Sequence, residues 1–409
     1  QSIEGKATVA FGPMIALLEW PLHNIAGIVF GFLPLAAWLY LLLGRGMFWL
    51  FRERDGEERV PAPARWPSVV AVVPARDEAD VIARSLGSLI AQNYVGDFHI
   101  ILVDDQSDDG TAIAARALGS PRVTVLAGVP RPQGWTGKLW AMHQGLEAAK
   151  ARRPDYVWFT DADIAHAPDN LARLAARARE RGLVLTSQMA KLSAKTAVEH
   201  FLIPAFVFFF AMLYPFGMVN NPRRKPAAAA GGCMLARTDA LESVGGIEAI
   251  RRNIIDDVSL ARLMKTAGPV WLGLSNRAVS LRPYENLREI RRMVARSAFA
   301  ELDYSVLKLL GTLAGLVLVY LAPPATALFA WGPSQMAGWI ACTAMVAAMQ
   351  PILRYYRLSP LWGFALPIIA AFYAAFTLDS ALQYWRGRGG MWKGRAQAHH
   401  EEPPARSET

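Results

Sequence analysis

Hydrophobic and polar positions divide the chain into an apolar beginning, a mixed middle and an apolar end. Asn24 to Gly44 carries no charged side chain and is long enough for one helix to cross a hydrocarbon layer of about 30 Å. Three further apolar stretches, separated by short connections, cover Val306 to Ala330, Gln335 to Leu353 and Leu361 to Leu382. The pattern predicts one spanning helix at 24–44 and an anchor of two or three helices within 306–383.

The charges beside these stretches predict an orientation. Arg45, Arg52 and Arg54 follow the first stretch, so the positive-inside rule places the middle region in the cytoplasm, and we expect a bacterial inner-membrane protein. Three complete crossings near the end would put the basic tail at 384–409, which we expect to be flexible, on the opposite side. Because Pro323 and Pro324 interrupt the first of these stretches, a broken or re-entrant element there is an alternative.

The middle region alternates short β-branched runs with helical stretches rich in Ala and Leu. This alternation is typical of an α/β domain with parallel strands and crossover helices, and we predict one over residues 60–300. The predicted strands are Val69 to Val73, His99 to Val103, Val123 to Leu126, Tyr156 to Thr160 and Leu183 to Ser187.

One stretch inside this region, at 201–219, is apolar enough to resemble a spanning helix. A true crossing there would separate the polar motifs on its two sides, so we interpret it as an interfacial or re-entrant segment near a lipid substrate. A buried core helix is the alternative.

Acidic residues follow two of the predicted strands. Asp104 and Asp105 end the second strand, while Asp161 and Asp163 follow the fourth. Ligands of open parallel sheets bind beyond the carboxyl ends of the strands, where carboxylates and a hard divalent cation would hold a nucleotide diphosphate. Asp163 suits the metal, Asp161 a ribose hydroxyl or metal-bound water, and Asp105 a nucleobase NH. The alternative is that Asp163 or Asp169 caps the next helix.

Composition and charge indicate which classes of binding partner suit the chain. The 409 residues are 53% hydrophobic with a formal net charge of +9, and a membrane surface or phosphate-bearing ligands would suit that charge. The soluble part lacks the interleaved basic and aromatic stripe of a nucleic-acid binder, so we expect no nucleic-acid partner. Cys233 and Cys342 have no metal-site spacing, and they lie in different predicted compartments, which disfavours a disulfide.

Six ordered sequence blocks give the middle region a family resemblance. They are VVPARDEADVI (72–82), VDDQSDDGT (103–111), GWTGKLWAMHQG (134–145), DADI (161–164), GGCMLARTDALESVGG (231–246) and IIDDVSLARLMK (254–265). In this order they resemble the family-2 inverting glycosyltransferases. With one apolar helix before and several after, the chain is most similar to the hopanoid-biosynthesis-associated members and more distantly similar to ceramide glucosyltransferase.

The resemblance implies a GT-A fold, a nucleotide-sugar donor, UDP-linked by preference, and Mg²⁺ or Mn²⁺ as cofactor. It implies metal binding by Asp161 and Asp163. The donor-binding residues that it implies are Pro74, Glu78, Asp104, Asp105, Lys138 and Asp161.

The resemblance also implies Asp257 as the catalytic base. Consecutive Asp256 and Asp257 ahead of VSLARLMK equally fit a helix N-terminus, and the two roles are compatible. In the piece MVARS, only Arg296 remains of the QxxRW motif of processive members, and we expect it against the leaving diphosphate as a second catalytic residue. Arg288 and Arg292 share its helix face and suit either the same role or anionic lipids.

We therefore expect transfer of one sugar to the hydroxyl of a membrane lipid of hopanoid, sphingolipid-like or polyprenyl type. A processive polysaccharide synthase is one alternative, which the incomplete motif disfavours. A non-catalytic membrane protein that only binds the ligand is the other, and the full set of acids disfavours it.

Overall fold

The structure is a computed structural model that describes residues 31–56, 61–390 and 393. Within the predicted first helix, residues 31–44 form α1 (Gly31–Gly44), while residues 24–30 lie outside the described part. Of the predicted tail, the structure describes 384–390 and Lys393. The polypeptide between the apolar ends forms an α/β domain.

An eight-stranded sheet is the centre of this domain. Its strands are β1 (Val69–Ala75), β2 (Phe98–Asp104), β3 (Val123–Ala127), β4 (Tyr156–Phe159), β5 (Ile164–His166), β6 (Leu185–Lys191), β7 (Met234–Arg237) and β8 (Val270–Ser280). The spatial order is β3-β2-β1-β4-β7-β6-β8-β5. Because β1 runs parallel to both β2 and β4, the loops after these three strands meet at one edge.

Helices cover both faces of the sheet. The helices of the domain are α2 (Ile82–Ile90), α3 (Thr111–Arg116), α4 (Gly137–Lys150), α5 (Asn170–Glu180), α6 (Ala197–Leu213), α7 (Phe216–Val219), α8 (Thr238–Ser243), α9 (Asp256–Ala267) and α10 (Leu287–Glu301). Side chains of a strand alternate between the two faces, and in β1 all of them are buried. In β1, Val69, Ala71 and Val73 pack into one core with α2 and α5, whereas Val70 and Val72 pack into the other with α4 and α9.

The α/β class is confirmed, but the sheet is mixed rather than parallel. The first four predicted strands are confirmed to within two residues, and the fifth is displaced to β6. β7 runs antiparallel to β4 and β6, and β5 runs antiparallel to β8. The sequence did not reveal β5 and β7 because three or four residues are too few for a periodic pattern. β8 was not predicted for a different reason, because the polar residues Ser275 to Arg277 interrupt its apolar pattern.

The C-terminal apolar elements begin and end on the α/β domain. They are α11 (Val306–Leu316), a π-helical segment (Val317–Leu321), α12 (Ala322–Phe329), α13 (Pro333–Tyr356), a 3-10 segment (Pro360–Ala365) and α14 (Leu366–Trp385). At the prolines, the helix continues through the π-helical turn instead of breaking, because such a turn accommodates a missing N–H.

The contacts of these elements show a hairpin followed by a returning helix. Leu309, near the start of α11, packs on Phe299 of α10. At the other end of the hairpin, the Tyr355 hydroxyl donates to the Ser275 carbonyl of β8 at 2.6 Å. In α14, the Tyr373 hydroxyl donates to Leu202 O of α6 at 2.9 Å, and the Ser380 hydroxyl donates to Ala295 O of α10 at 2.6 Å. α14 therefore lies along α6 and α10.

The apolar helix α6 is largely enclosed by the described residues. Thr196 and Glu199 form a capping box at its start, and 67% of the apolar window within Ala197–Val219 is buried. Phe208 stacks edge-on against Phe48, and Phe209 against Tyr373. This packing favours the core-helix interpretation over an interfacial segment for most of its length.

Candidate active site

A cavity of about 430 Å³ opens beside the carboxyl ends of β1 and β4. Seven of the residues that we predicted as site residues line it: Pro74, Glu78, Lys138, Asp161, Asp163, Asp257 and Arg296. Asp104 and Asp105 do not line it, since they lie at the end of the neighbouring strand β2. Asp105 is fully buried, with its side chain 3.9 Å from the Arg76 guanidinium. A nucleobase bound at Asp105 would therefore lie one strand away from the cavity.

Lys138 connects the loop after β4 with the beginning of α9. It lies in the first turn of α4, and its Nζ is 2.8 Å from Asp161 Oδ1 and 2.9 Å from Asp256 Oδ2. Burial alone would lower the pKa of Lys138, but the two carboxylates outweigh it and raise this pKa above its ordinary value. The ammonium therefore stays charged and holds both loops in place.

Asp257 is presented to the cavity at the beginning of α9. Its Oδ2 accepts a hydrogen bond from the Gly231 N–H at 3.0 Å, and its Oδ1 accepts one from the Val258 N–H at 2.7 Å. Burial and the adjacent Asp256 carboxylate raise the pKa of Asp257, while Lys138 opposes that shift. A Cβ at residue 231 would lie 3.1 Å from Lys138 Nζ, so glycine there permits the close approach. The N-terminal position and a catalytic role are compatible in this geometry.

Asp163 lines the same cavity as the carboxylates of Asp161 and Glu78. Burial raises its pKa to about 6, the Asp161 and Glu78 carboxylates add to the shift, and the Arg282 guanidinium opposes it. The Leu281 N–H donates to the Asp163 carbonyl at 2.8 Å, which fixes this loop against the end of β8. Several carboxylates are thus held close together, and the repulsion between them favours binding of a cation.

Sequence reasoning missed two cations that bind Glu78. Arg282, just after β8, pairs with Glu78 Oε2 and lies 3.7 Å from Asp163 Oδ2. Lys393, beyond the last helix, lies 2.7 Å from Glu78 Oε1. Arg282 follows a strand that the sequence did not reveal. For Lys393 the basic composition of the tail was the only signal, and we predicted that tail as flexible.

Comparisons with known proteins agree with this geometry. Residues 70–245 match the family model for glycosyl transferase family 2. The chain contains a family 2 glycosyltransferase domain. Over 122 residues it is 35% identical to the succinoglycan biosynthesis protein ExoO of Rhizobium meliloti (strain 1021). Over 146 residues it is 29% identical to an N-acetylglucosaminyltransferase of Mesorhizobium japonicum. These matches cover 30% and 35% of this chain, and the chain spans only 33% and 32% of the two relatives.

The fold of the glycosyltransferase domain also has a solved counterpart. The chain superimposes on the mannosyltransferase PcManGT from Pyrobaculum calidifontis with a TM-score of 0.54, over 88% of this chain and 96% of that one, at 20% identity. That structure was solved in complex with GDP-Man and Mn²⁺. At this identity the likeness shows the fold alone, and the predicted GT-A fold is confirmed.

The acids of the glycosyltransferase domain suit a divalent cation. Asp161 and Asp163 supply the carboxylate oxygens that Mg²⁺ and Mn²⁺ prefer. The pKa of Asp163 is raised first by burial and then by the Asp161 and Glu78 carboxylates, and a bound cation would offset both effects. Among the described residues, no group of three or more His, Cys, Asp or Glu side chains is arranged to hold a metal by itself. A bound ion would therefore need ligands from the diphosphate and from water, as Mg²⁺ commonly does.

The lining of the cavity also includes basic and aromatic residues. Arg292 and Arg296 of α10 line it together with Phe206 and Phe210 of α6. The sequence suggested either the diphosphate or anionic lipids as the partner of Arg288 and Arg292. Arg292 lines the cavity, whereas Arg288 lies outside it and is exposed. Cations and apolar rings therefore lie within one cavity, on the side where the apolar helices pack.

Proposed function

We propose that the chain is a membrane-bound inverting glycosyltransferase that moves one sugar from a nucleotide diphosphate sugar to a hydroxyl of a membrane lipid. The observation that carries this proposal is the single cavity in which Asp257, the acidic pair Asp161 and Asp163, and the phenyl rings of α6 meet. A UDP-sugar is the donor that we favour, and the lipid is of hopanoid, sphingolipid-like or polyprenyl type. The relatives named above are associated with succinoglycan and N-acetylglucosamine. The proposal of a lipid acceptor is therefore supported by the apolar rings that line the cavity, and the lipid type by the resemblance of the sequence.

In this proposal Asp257 is the general base. The acceptor oxygen forms a bond to the anomeric carbon while the bond from that carbon to the diphosphate oxygen breaks, and the electron pair leaves with the nucleotide. The hydroxyl proton passes to Asp257, whose carboxylate keeps free lone pairs beside its two backbone hydrogen bonds. A single displacement inverts the anomeric centre.

The cations of the cavity would stabilise the leaving group. Arg296, with Arg292 one turn before it, presents a guanidinium that can bind two phosphate oxygens at once. Lys138 would keep the loops of Asp161 and Asp256 in register. Mg²⁺ or Mn²⁺, bound at Asp161 and Asp163, would supply further neutralisation of the diphosphate charge.

The apolar helices support a membrane location. Four helices of the described chain are long and apolar enough to cross a membrane: Ala197–Val219, Val306–Phe329, Pro333–Tyr356 and Pro360–Trp385. Ala197–Val219 is part of the α/β domain, and α14, within Pro360–Trp385, donates hydrogen bonds to α6 and α10. We therefore propose that only the hairpin Val306–Tyr356 and the N-terminal helix cross. The glycosyltransferase domain would then face the cytoplasm of a bacterial cell, beside the inner membrane.

Calorimetric titration of uridine diphosphate and guanosine diphosphate into the purified chain tests the donor site. We expect one of them to bind with Mn²⁺ and to bind about tenfold or more weakly in EDTA. Asp163→Asn should abolish the difference, whereas the matched control Asp169→Asn, whose carboxylate pairs with Arg277 outside the cavity, should keep it. Equal binding in EDTA and Mn²⁺ would end the metal requirement, and no binding at all would overturn the function.

The products distinguish the alternatives. Incubation of the purified enzyme with the donor and lipid extracts should yield a lipid carrying one sugar, detected by mass spectrometry. A polymer would instead identify a processive synthase. Nucleotide binding without any transfer would indicate a module that binds the ligand and does not react.

A further inference from the structure

Lys393 joins the C-terminal segment to the donor site. We propose that Lys393 is a positioning residue of that site, which orients Glu78 and supplies positive charge for the nucleotide diphosphate. This inference rests on the proposed function, because it assigns a role within the same cavity. The experiments below therefore separate a failure of Lys393 from a failure of the donor site.

The contacts of Lys393 are specific. Its Nζ donates to the Asp77 carbonyl at 2.9 Å and lies 2.7 Å from Glu78 Oε1, with the lysine side chain 24% exposed and that of Glu78 11% exposed. The same loop is fixed from its other side, where the Glu78 N–H donates to the Thr111 hydroxyl at 2.8 Å. Lys393 thus binds a loop that is ordered from both sides at the mouth of the cavity.

Glu78 has one cation on each carboxylate oxygen. Arg282 binds Oε2, and Lys393 binds Oε1. Loss of Lys393 would leave one oxygen of a mostly buried carboxylate without this partner. Because an unpaired buried charge is unfavourable, Glu78 would reorient towards water or towards Arg282 alone. The predicted contact of Glu78 with the donor would lose its fixed geometry.

The charges of the cavity lead to the same conclusion. Its lining contains four carboxylates, of Glu78, Asp161, Asp163 and Asp257, and five cations, of Lys138, Arg282, Arg292, Arg296 and Lys393. A nucleotide diphosphate brings further negative charge. Removal of Lys393 takes away the single excess cation, so binding of the diphosphate should weaken.

The polypeptide before Lys393 is shaped to return to the domain. α14 ends at Trp385, and Gly387 and Gly390 then have φ values of +70° and +62°, which glycine adopts without steric strain. Gly389 and Gly390 are buried, although the preceding Arg386 to Arg388 are exposed. The glycines of the RGRGG sequence therefore turn the segment inward, towards the cavity.

The first test measures binding of uridine diphosphate and guanosine diphosphate to the full-length chain in the presence of Mn²⁺. For the nucleotide that the wild type binds, Lys393→Ala should raise Kd roughly tenfold, as expected for loss of a charge-assisted hydrogen bond. Lys393→Arg should restore most of the affinity. The matched control Arg388→Ala removes the same charge from the exposed part of the segment and should leave Kd unchanged. A melting curve for each variant verifies that it folds.

The second test asks whether Lys393 acts through Glu78. In transfer assays, Lys393→Ala should raise KM for the donor more than it lowers kcat. In a Glu78→Gln background, the same substitution should have a clearly smaller effect. Equal effects in both backgrounds, or wild-type affinity in Lys393→Ala, would overturn the inference while the proposed function stands. Tighter binding in Lys393→Ala would also overturn it, since the segment would then compete with the nucleotide. If the wild type binds neither nucleotide, the proposed function fails, and this inference fails with it.

Discussion

Asp257 is held in place by backbone groups and made more basic by its surroundings. The Gly231 and Val258 N–H groups fix both of its oxygens, while burial and Asp256 raise its pKa. A raised pKa brings a carboxylate closer to the strength needed to accept a proton near neutral pH. These features suit a base that must be oriented before the acceptor arrives.

Asp257→Asn should leave nucleotide binding within a few-fold of wild type and lower transfer by roughly 10²- to 10⁴-fold, because a general base acts in the transition state. Asp256→Asn is the matched comparison, since Asp256 pairs with Lys138 and is the preceding residue. Its loss of transfer should be smaller. A larger loss in Asp256→Asn than in Asp257→Asn would move the base to Asp256.

The pH dependence of transfer should follow Asp257. Asp257 can accept the proton only when its side chain is ionised. Transfer should therefore fall as the pH drops through the raised pKa of Asp257, which lies above the ordinary aspartate value of about 4. Asp256→Asn removes a charge that raises this pKa, so the acid limb of kcat should move to lower pH. Saturating Mn²⁺, bound at Asp163 as proposed, would keep this carboxylate ionised despite its pKa of about 6 and would remove its contribution to the acid limb. An acid limb that does not move would contradict the assignment.

At the residue scale, the sequence revealed the acidic residues of the cavity better than the positively charged ones. Asp161, Asp163 and Asp257 stand beside strand ends or helix starts within motifs that can be read locally. Arg282 and Lys393 reach the same cavity from 204 residues beyond Glu78 and 316 residues beyond Asp77. Only the packing of β8 and the turn after α14 bring them there, and no local pattern encodes that packing.

At the scale of elements, α6 has two faces with different roles. Phe208 is fully buried and Phe209 nearly so, whereas Phe206 and Phe210 line the cavity. Composition alone could not separate these faces, because every position of the stretch is apolar. The sequence therefore left an interfacial segment and a core helix as alternatives, and the positions of α13 and α14 favour the core.

This division predicts two kinds of variant. Phe208→Ala should destabilise the protein by about 3 to 5 kcal/mol, since it removes a buried aromatic ring. Phe206→Ala should melt close to wild type and should impair transfer to a lipid acceptor more than hydrolysis of the donor by water. Melting curves in detergent, read beside the two rates, measure both effects. Unchanged lipid transfer in Phe206→Ala would remove α6 from the acceptor site.

At the scale of the whole molecule, the contact between Lys393 and Glu78 bears on a conflict in the charge pattern. Three crossings after the domain would separate the basic tail from it, yet Lys393 binds Glu78 within the domain. In the proposed topology the hairpin Val306–Tyr356 crosses the membrane and returns, while α14 stays attached to α6 and α10. An even number of crossings after the domain would keep the tail and the proposed donor site on one side, in agreement with the positive-inside rule.

Cysteine labelling in bacterial cells that express the chain tests this topology. Each 24-residue arm of the hairpin, at about 1.5 Å per residue, exceeds a hydrocarbon layer of about 30 Å. In a Cys342→Ala background, Trp331→Cys at the exposed hairpin tip should react with an impermeant maleimide in intact cells. Arg388→Cys should react only after permeabilisation, as should Lys150→Cys on the exposed end of α4. Labelling of Arg388→Cys in intact cells, with Lys150→Cys protected, would place the tail opposite the domain and contradict the contact between Lys393 and Glu78. Protection of Trp331→Cys would show that the hairpin enters the membrane without crossing it.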